Sequence, residues 1–105
     1  MIAKTPKPPY YAVIFTSVRT EGDNGYSHMA DEIENLVKEQ SGFLGYESAR
    51  NETGITVSYW KDLESIKKWK ENNSHKIARE KGREEWYGKF KVRIAKVERD
   101  YGFEK

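Results

Sequence analysis

The sequence contains no cysteine. That excludes disulfides, thiolate nucleophiles, cysteine-ligated zinc and iron–sulfur clusters. Its three prolines, Pro6, Pro8 and Pro9, all fall in the first nine residues. There they favour an extended, mobile or polyproline-like arm and interrupt nothing that follows. No apolar run approaches the ~20 residues that a membrane-spanning helix needs. The stretch Met1 to Pro9 carries Lys4 and Lys7 and has no apolar segment of the kind a secretory leader uses. Nor does one sign of charge prevail. Nineteen Lys and Arg against seventeen Asp and Glu leave +2 at pH 7, and the charges are interspersed. Such a chain has no broad field to draw in nucleic acid or an anionic bilayer. The expectation is a cytoplasmic protein with neither a membrane nor a nucleic acid as partner.

The chain has 105 residues, with 36% hydrophobic and 34% charged. That is one domain with a lean apolar supply. Fourteen aromatic residues (three Trp, seven Tyr, four Phe) compensate, because each can bury about 150–250 Å². A chain of this size hides only about 60–70% of its unfolded surface, so a second subunit would add to its core.

Tyr10 to Arg19 reads as a strand, rich in β-branched and aromatic residues and apolar on both faces. One face carries Tyr11, Val13, Phe15 and Ser17; the other carries Tyr10, Ala12, Ile14, Thr16 and Val18. Thr20 to Gly25 is a turn, and Asp23 or Asn24 is placed to cap the helix that follows. Tyr26, Met29, Ala30, Ile33, Leu36 and Val37 repeat with helical period, which predicts a helix to about Gln40, ended by Gly42. Phe43 to Asn51 and residues 53 or 54 to Lys61 read as two strands joined by a hairpin at 51–54. Asp62 is placed to cap a second helix, interrupted at 72–74, where Ser74 offers a new start; two short helices or one bent helix fit, ending at Gly82. Tyr87 to Glu98 alternates Phe90, Val92 and Ile94 with Lys89, Lys91 and Arg93, a strand period. The organisation is then an arm (1–9), a domain (10–98) and a tail (99–105), in which Tyr101 and Phe103 are available for packing. The order βαββαβ predicts an α+β, ferredoxin-like fold: a four-stranded antiparallel sheet with helices on one face.

With the order in place, two segments stand out: "EQSGFLGYES" (Glu39–Ser48) and "TVSYWKDLESIKKWKENNSHKIAREKG" (Thr56–Gly82). Through them, residues 10–98 resemble the antibiotic biosynthesis monooxygenase domain of the dimeric α/β-barrel superfamily. The resemblance implies a homodimer whose two sheets close into a barrel, and a small pocket in each subunit between sheet and helices. It also implies one of two chemistries. Some members oxidise polycyclic phenols with O₂ and no cofactor, whereas others bind and degrade haem. The haem branch uses a helical His on iron, a helical Trp and an Asn on the first strand. Trp69 matches the Trp. His75 follows it by six residues, where nine or ten are usual, and the first strand has Phe15 or Thr16 where the Asn would be.

Five residues are candidates for a site. His75 could serve as the base that ionises a phenolic or enolic substrate, or as an iron ligand; a helix-start position on the surface would also suit it. Arg79 lies one helical turn on and could hold a carboxylate or phenolate, or belong to a solvated ion-pair surface. Trp60, Trp69 and Trp86 could line a pocket for a flat aromatic molecule, or be core; Trp69, in phase with Ile66, reads more as core, and Trp60, on the more polar face of its strand, is the better pocket candidate. His28, beside the core position Met29, reads as surface. The basic run over 61–81 has seven Lys and Arg broken by four acids, and no RNA-binding signature accompanies it. Phosphate-loop, dinucleotide, metalloprotease and nucleophile-elbow motifs are absent. Three readings stay open: a cofactor-free oxygenase acting on an aromatic or quinol-like molecule, a haem-binding or haem-degrading enzyme, and a barrel that binds a small ligand without chemistry.

Overall fold

The computed structural model describes residues 2–105, apart from the side chain of Asn73; Met1, the first residue of the expected arm, lies outside them. Along the chain come β1 (Tyr10–Arg19), α1 (Tyr26–Val37), β2 (Phe43–Arg50), β3 (Gly54–Trp60), α2 (Leu63–Glu71), α3 (Asn73–Lys81), a π-helical turn (Gly82–Trp86) and β4 (Tyr87–Val97). The strands form one antiparallel sheet in the order β2-β3-β1-β4. β1 is therefore central, and β3 is inserted between it and β2, as in a split βαβ arrangement. This is the ferredoxin-like α+β fold that the element order predicts.

The register sorts side chains between the two faces. Tyr11 pairs with Trp60 and Lys96, Val13 with Ser58 and Ile94, Phe15 with Thr56 and Val92. These residues share the helix side, where Val37, Trp60 and Ile66 form a buried cluster joined by Tyr11, Val13, Phe43 and Trp69. Trp60 is 0% exposed. Removing an indole of that size from water is worth about 4–6 kcal/mol as an upper estimate. The opposite face carries Tyr10, Ala12, Ile14, Thr16 and Val18. The arm reaches it: the Ala3 amide donates to Glu47 at 2.9 Å, and the Thr5 hydroxyl to the Tyr10 hydroxyl at 3.0 Å. From the other terminus, Asp100 accepts from Tyr10. Tyr101 and Phe103 do not pack; both stand in solvent.

Local chemistry explains the boundaries. Asp23 caps from a distance, its carboxylate accepting from the Ser27 amide at 3.2 Å, while Gly25 (φ 84°) makes the entry into α1. α1 stops at Val37, short of the expected end near Gln40, because its last turn tightens into i→i+3 bonds, Glu39 to Leu36 and Gln40 to Val37. Asp62 caps α2, accepting from the Ser65 amide at 2.8 Å. The break at 72–74 gives two helices. Asn72, not Ser74, caps the second, accepting from the amides of Ser74 and His75. The helical path does not end at Gly82. It continues through the π-helical turn to Trp86, whose indole N–H donates to the Asn24 carbonyl at 2.9 Å.

Candidate functional site

The bend at Asn72 brings His75 back over α2. Asn72 is extended (φ −60°, ψ 128°), so α3 folds against the helix it follows. The His75 imidazole then stacks on the Trp69 indole, with centroids 4.3 Å apart and planes within 8°. Trp69 stacks in turn on Trp60 at 6.3 Å, and Phe43 meets Trp60 edge-on at 5.3 Å. The aromatic column therefore runs from the core outward and ends in the half-buried imidazole. The Trp60 N–H is held by the Ser58 hydroxyl at 2.9 Å.

The imidazole's proton can be assigned from its partner. His75 Nδ1 lies 2.9 Å from the Trp69 carbonyl oxygen, which can only accept. Nδ1 therefore carries the hydrogen in the neutral ring and Nε2 carries the lone pair. The ring is held neutral: burial pushes its pKa below 6.5 and the nearby Arg79 charge adds to this, against an opposing pull from the Trp69 carbonyl. A neutral imidazole with a free Nε2 is able to take a proton at pH 7.

The other candidates sort differently. Arg79 comes close enough to influence His75 electrostatically, and its Nη2 donates to the Lys70 carbonyl at 3.1 Å. Trp69 is half-buried against His75. Trp60, the better pocket candidate by its strand face, has no exposed surface and is core. Trp86 is buried at 4% exposure in a second aromatic cluster. There Tyr26 and Tyr87 meet edge-on at 5.9 Å, Tyr26 meets Trp86 at 5.7 Å, and Phe15 meets Tyr87 at 5.3 Å. Arg19 sits over the Tyr26 ring at 3.5 Å and donates through Nε to the Trp86 carbonyl at 3.0 Å. Burial and a hydrogen bond with Tyr26 raise the Tyr87 pKa well above that of a free phenol, so Tyr87 is a neutral donor rather than a base. His28 is exposed and paired with Glu32 at 3.0 Å.

For haem degradation the resemblance implies an Asn on the first strand, and β1 has none. The helix-side residues of β1 are Tyr11, Val13, Phe15 and Ser17. Phe15 packs on Tyr87 and Phe90, Ser17 is buried against the Arg50 guanidinium, and Thr16 points to the other face. The residues present do not fit the haem-degrading set.

Sequence reasoning missed the Tyr26–Tyr87–Phe15 cluster, because it joins three distant elements. It also missed an open groove of about 350 Å³ between α2 and α3, lined by Lys67, Lys70, Glu71, Lys76 and Arg79. The i, i+3 spacing within each basic pair was the available signal. Among the described residues, no group of three or more His, Cys, Asp or Glu is placed to hold a metal ion, and no helix is long and apolar enough to cross a membrane.

Residues 17–95 match the family model described as Monooxygenase af470-like. A Bacillus subtilis protein, the uncharacterized YqjZ, is 49% identical over 105 residues, covering 98% of this chain and 92% of its own length. Among solved structures, SnoaB, a cofactor-independent oxygenase from Streptomyces nogalater, superposes with a TM-score of 0.74 at 7% identity, covering 87% of this chain and 95% of that one. A candidate antibiotic biosynthesis monooxygenase from Deinococcus radiodurans gives 0.74 at 10% identity, over 91% and 99% of the two chains. At such identities the structural likeness carries the fold alone.

Proposed function

The chain belongs to the Monooxygenase af470-like family, and from that premise we propose that it oxygenates a small aromatic or quinol-like molecule with O₂ and no bound cofactor. The observation that carries this reading is the His75 Nδ1 contact with the Trp69 carbonyl at 2.9 Å, which leaves Nε2 free as the base. A phenolic or enolic proton passes to Nε2, and the substrate anion then gives an electron to O₂. One oxygen atom enters the substrate as a carbonyl and the other leaves as water. The substrate supplies every electron, so no external reductant is needed. The substrate lies against the outer end of the column, where His75 covers Trp69, with the half-buried Trp69 at its side. Trp60 and Trp86 hold the two aromatic clusters in place beneath it, and Arg79 balances the anion as it forms. SnoaB, a cofactor-independent oxygenase of the same fold, supports the reading by analogy.

The working unit in this proposal is a homodimer. The face of β1 away from the helices is apolar at Ile14 and Val18, and Ile55 beside it is 46% exposed, which a second sheet would cover.

The test is oxygen uptake across a panel of phenols, naphthols and anthrones. One member should consume one O₂ per molecule oxidised, and His75→Ala should slow it by about 10²–10⁴-fold, the range of a lost general base. Full turnover in His75→Ala would overturn the role of His75. Saturable binding of panel members with no oxygen uptake would favour a ligand-binding barrel. A one-to-one Soret shift with haemin that is lost in His75→Ala would favour haem.

A further inference from the structure

α2 and α3 repeat one pattern. Lys67 and Lys70 stand three residues apart on the first, and Lys76 and Arg79 three apart on the second, so each helix carries two cations on one face. The extended turn at Asn72 folds the helices so that both faces border the same groove. It has a volume of about 350 Å³, and Glu71 is the one acid among its lining residues. Arg79 fastens the two helices by donating to the Lys70 carbonyl at 3.1 Å, while its Nε is buried without an acceptor. Among the described residues the ion pairs are His28–Glu32, Lys38–Glu34 and Lys81–Glu85; the four groove cations take part in none.

Like charges brought together in a concavity repel, and the low-dielectric walls concentrate their field. Lys38 and Lys81 have acidic partners, whereas these four line one groove with a single acid among them. An anion in the groove would turn that repulsion into attraction. We propose that the groove between α2 and α3 binds a small polyanion carrying two or more phosphate or carboxylate groups. Its volume lies at the lower end of small-molecule sites, about 300–1,000 Å³. A long polyanion fits less well, because the groove is bounded by two helices of nine residues each and lined by four cations. The proposal does not rest on the role given to His75.

Pyrophosphate and citrate, each titrated into the full chain at low ionic strength and followed by amide chemical shifts, test it and separate phosphate from carboxylate recognition. Saturable one-to-one binding of at least one probe, with shifts centred on residues 67–79, is expected. The affinity should fall roughly tenfold or more in Lys67→Glu/Lys70→Glu, since two attractive contacts become repulsive. The same charge change at Lys4 and Lys105 should leave affinity unaltered. Should the double reversal disturb folding, Lys67→Gln alone should still weaken binding. Failure of both probes to saturate, shifts spread over the whole surface, or equal affinity in groove and control variants would overturn the proposal. So would tighter one-to-one binding of a short single-stranded RNA than of either probe.

Discussion

A neutral imidazole has one N–H, and His75 donates it to the carbonyl of the residue whose ring it lies on. Two consequences can be measured. The acid limb of kcat/KM should fall below pH 6.5, the value for a free imidazole, because burial and Arg79 both depress the folded pKa. Stability should follow the same sign. The unfolded imidazole takes up its proton near 6.5 and the folded one only at lower pH, so the stability contributed by the neutral ring is complete above about 6.5. It is lost as pH falls from there through the folded value. Urea midpoints taken between pH 7.5 and 5 should show this loss in the wild type and a flatter profile in His75→Asn. Gly42 makes a purely structural prediction. Its φ is 84°, and an added Cβ would lie 2.6 Å from Ser65 Cβ at the start of α2. Gly42→Ala should therefore destabilise by about 1–3 kcal/mol in urea unfolding, with unchanged m. As for legibility, the sequence singles out His75 by composition alone, since one of only two histidines falls in the second helical segment. Its stacking on Trp69 is not legible, because that depends on a backbone bend six residues long and not on any helical spacing.

At the scale of elements, Asn72 ends α2 in an extended conformation and caps α3 through its side chain. Asn72→Ala should cost about 1 kcal/mol. It should also speed amide exchange in α3 more than in the central strand β1, because the lost bonds are those of the helix entry. Strands were the most legible elements. Phe90 to Ile94 survives as β4 because a period of two admits no other regular structure, and Tyr10–Arg19 survives as β1 through its β-branched and aromatic residues. The π-helical turn was not legible. Gly82 suggests a helix stop, but here it takes a helical conformation (φ −58°) and lets the Tyr87 ring approach to 3.0 Å of where a Cβ would be. That contact is set by tertiary packing, which propensity does not register.

At the scale of the molecule, the sheet leaves apolar residues uncovered on both faces. Ile55 is 46% exposed on the face away from the helices, and Val92 and Ile94 on edge strand β4 are 47% and 54% exposed on the helix side. A homodimer should therefore elute with about twice the 12.3 kDa chain mass by light scattering, and Ile55→Glu, placing a charge in the apolar contact, should shift it toward monomer. Fold class was legible at this scale because element order alone selects few topologies. Which Trp is accessible was not: the phase of Trp69 with Ile66 and the more polar strand face of Trp60 favour Trp60 as the pocket residue, whereas Trp60 and Trp86 are core and Trp69 is half-buried.

The proposed chemistry depends on the protonation state of one ring, and long-range ¹H–¹⁵N spectra of the imidazole read it directly. At pH 7 the His75 signals should report the neutral tautomer with hydrogen on Nδ1, titrating below 6.5. An Nε2–H tautomer, or a His75 pKa at or above 6.5, would contradict the assignment of Nε2 as the base.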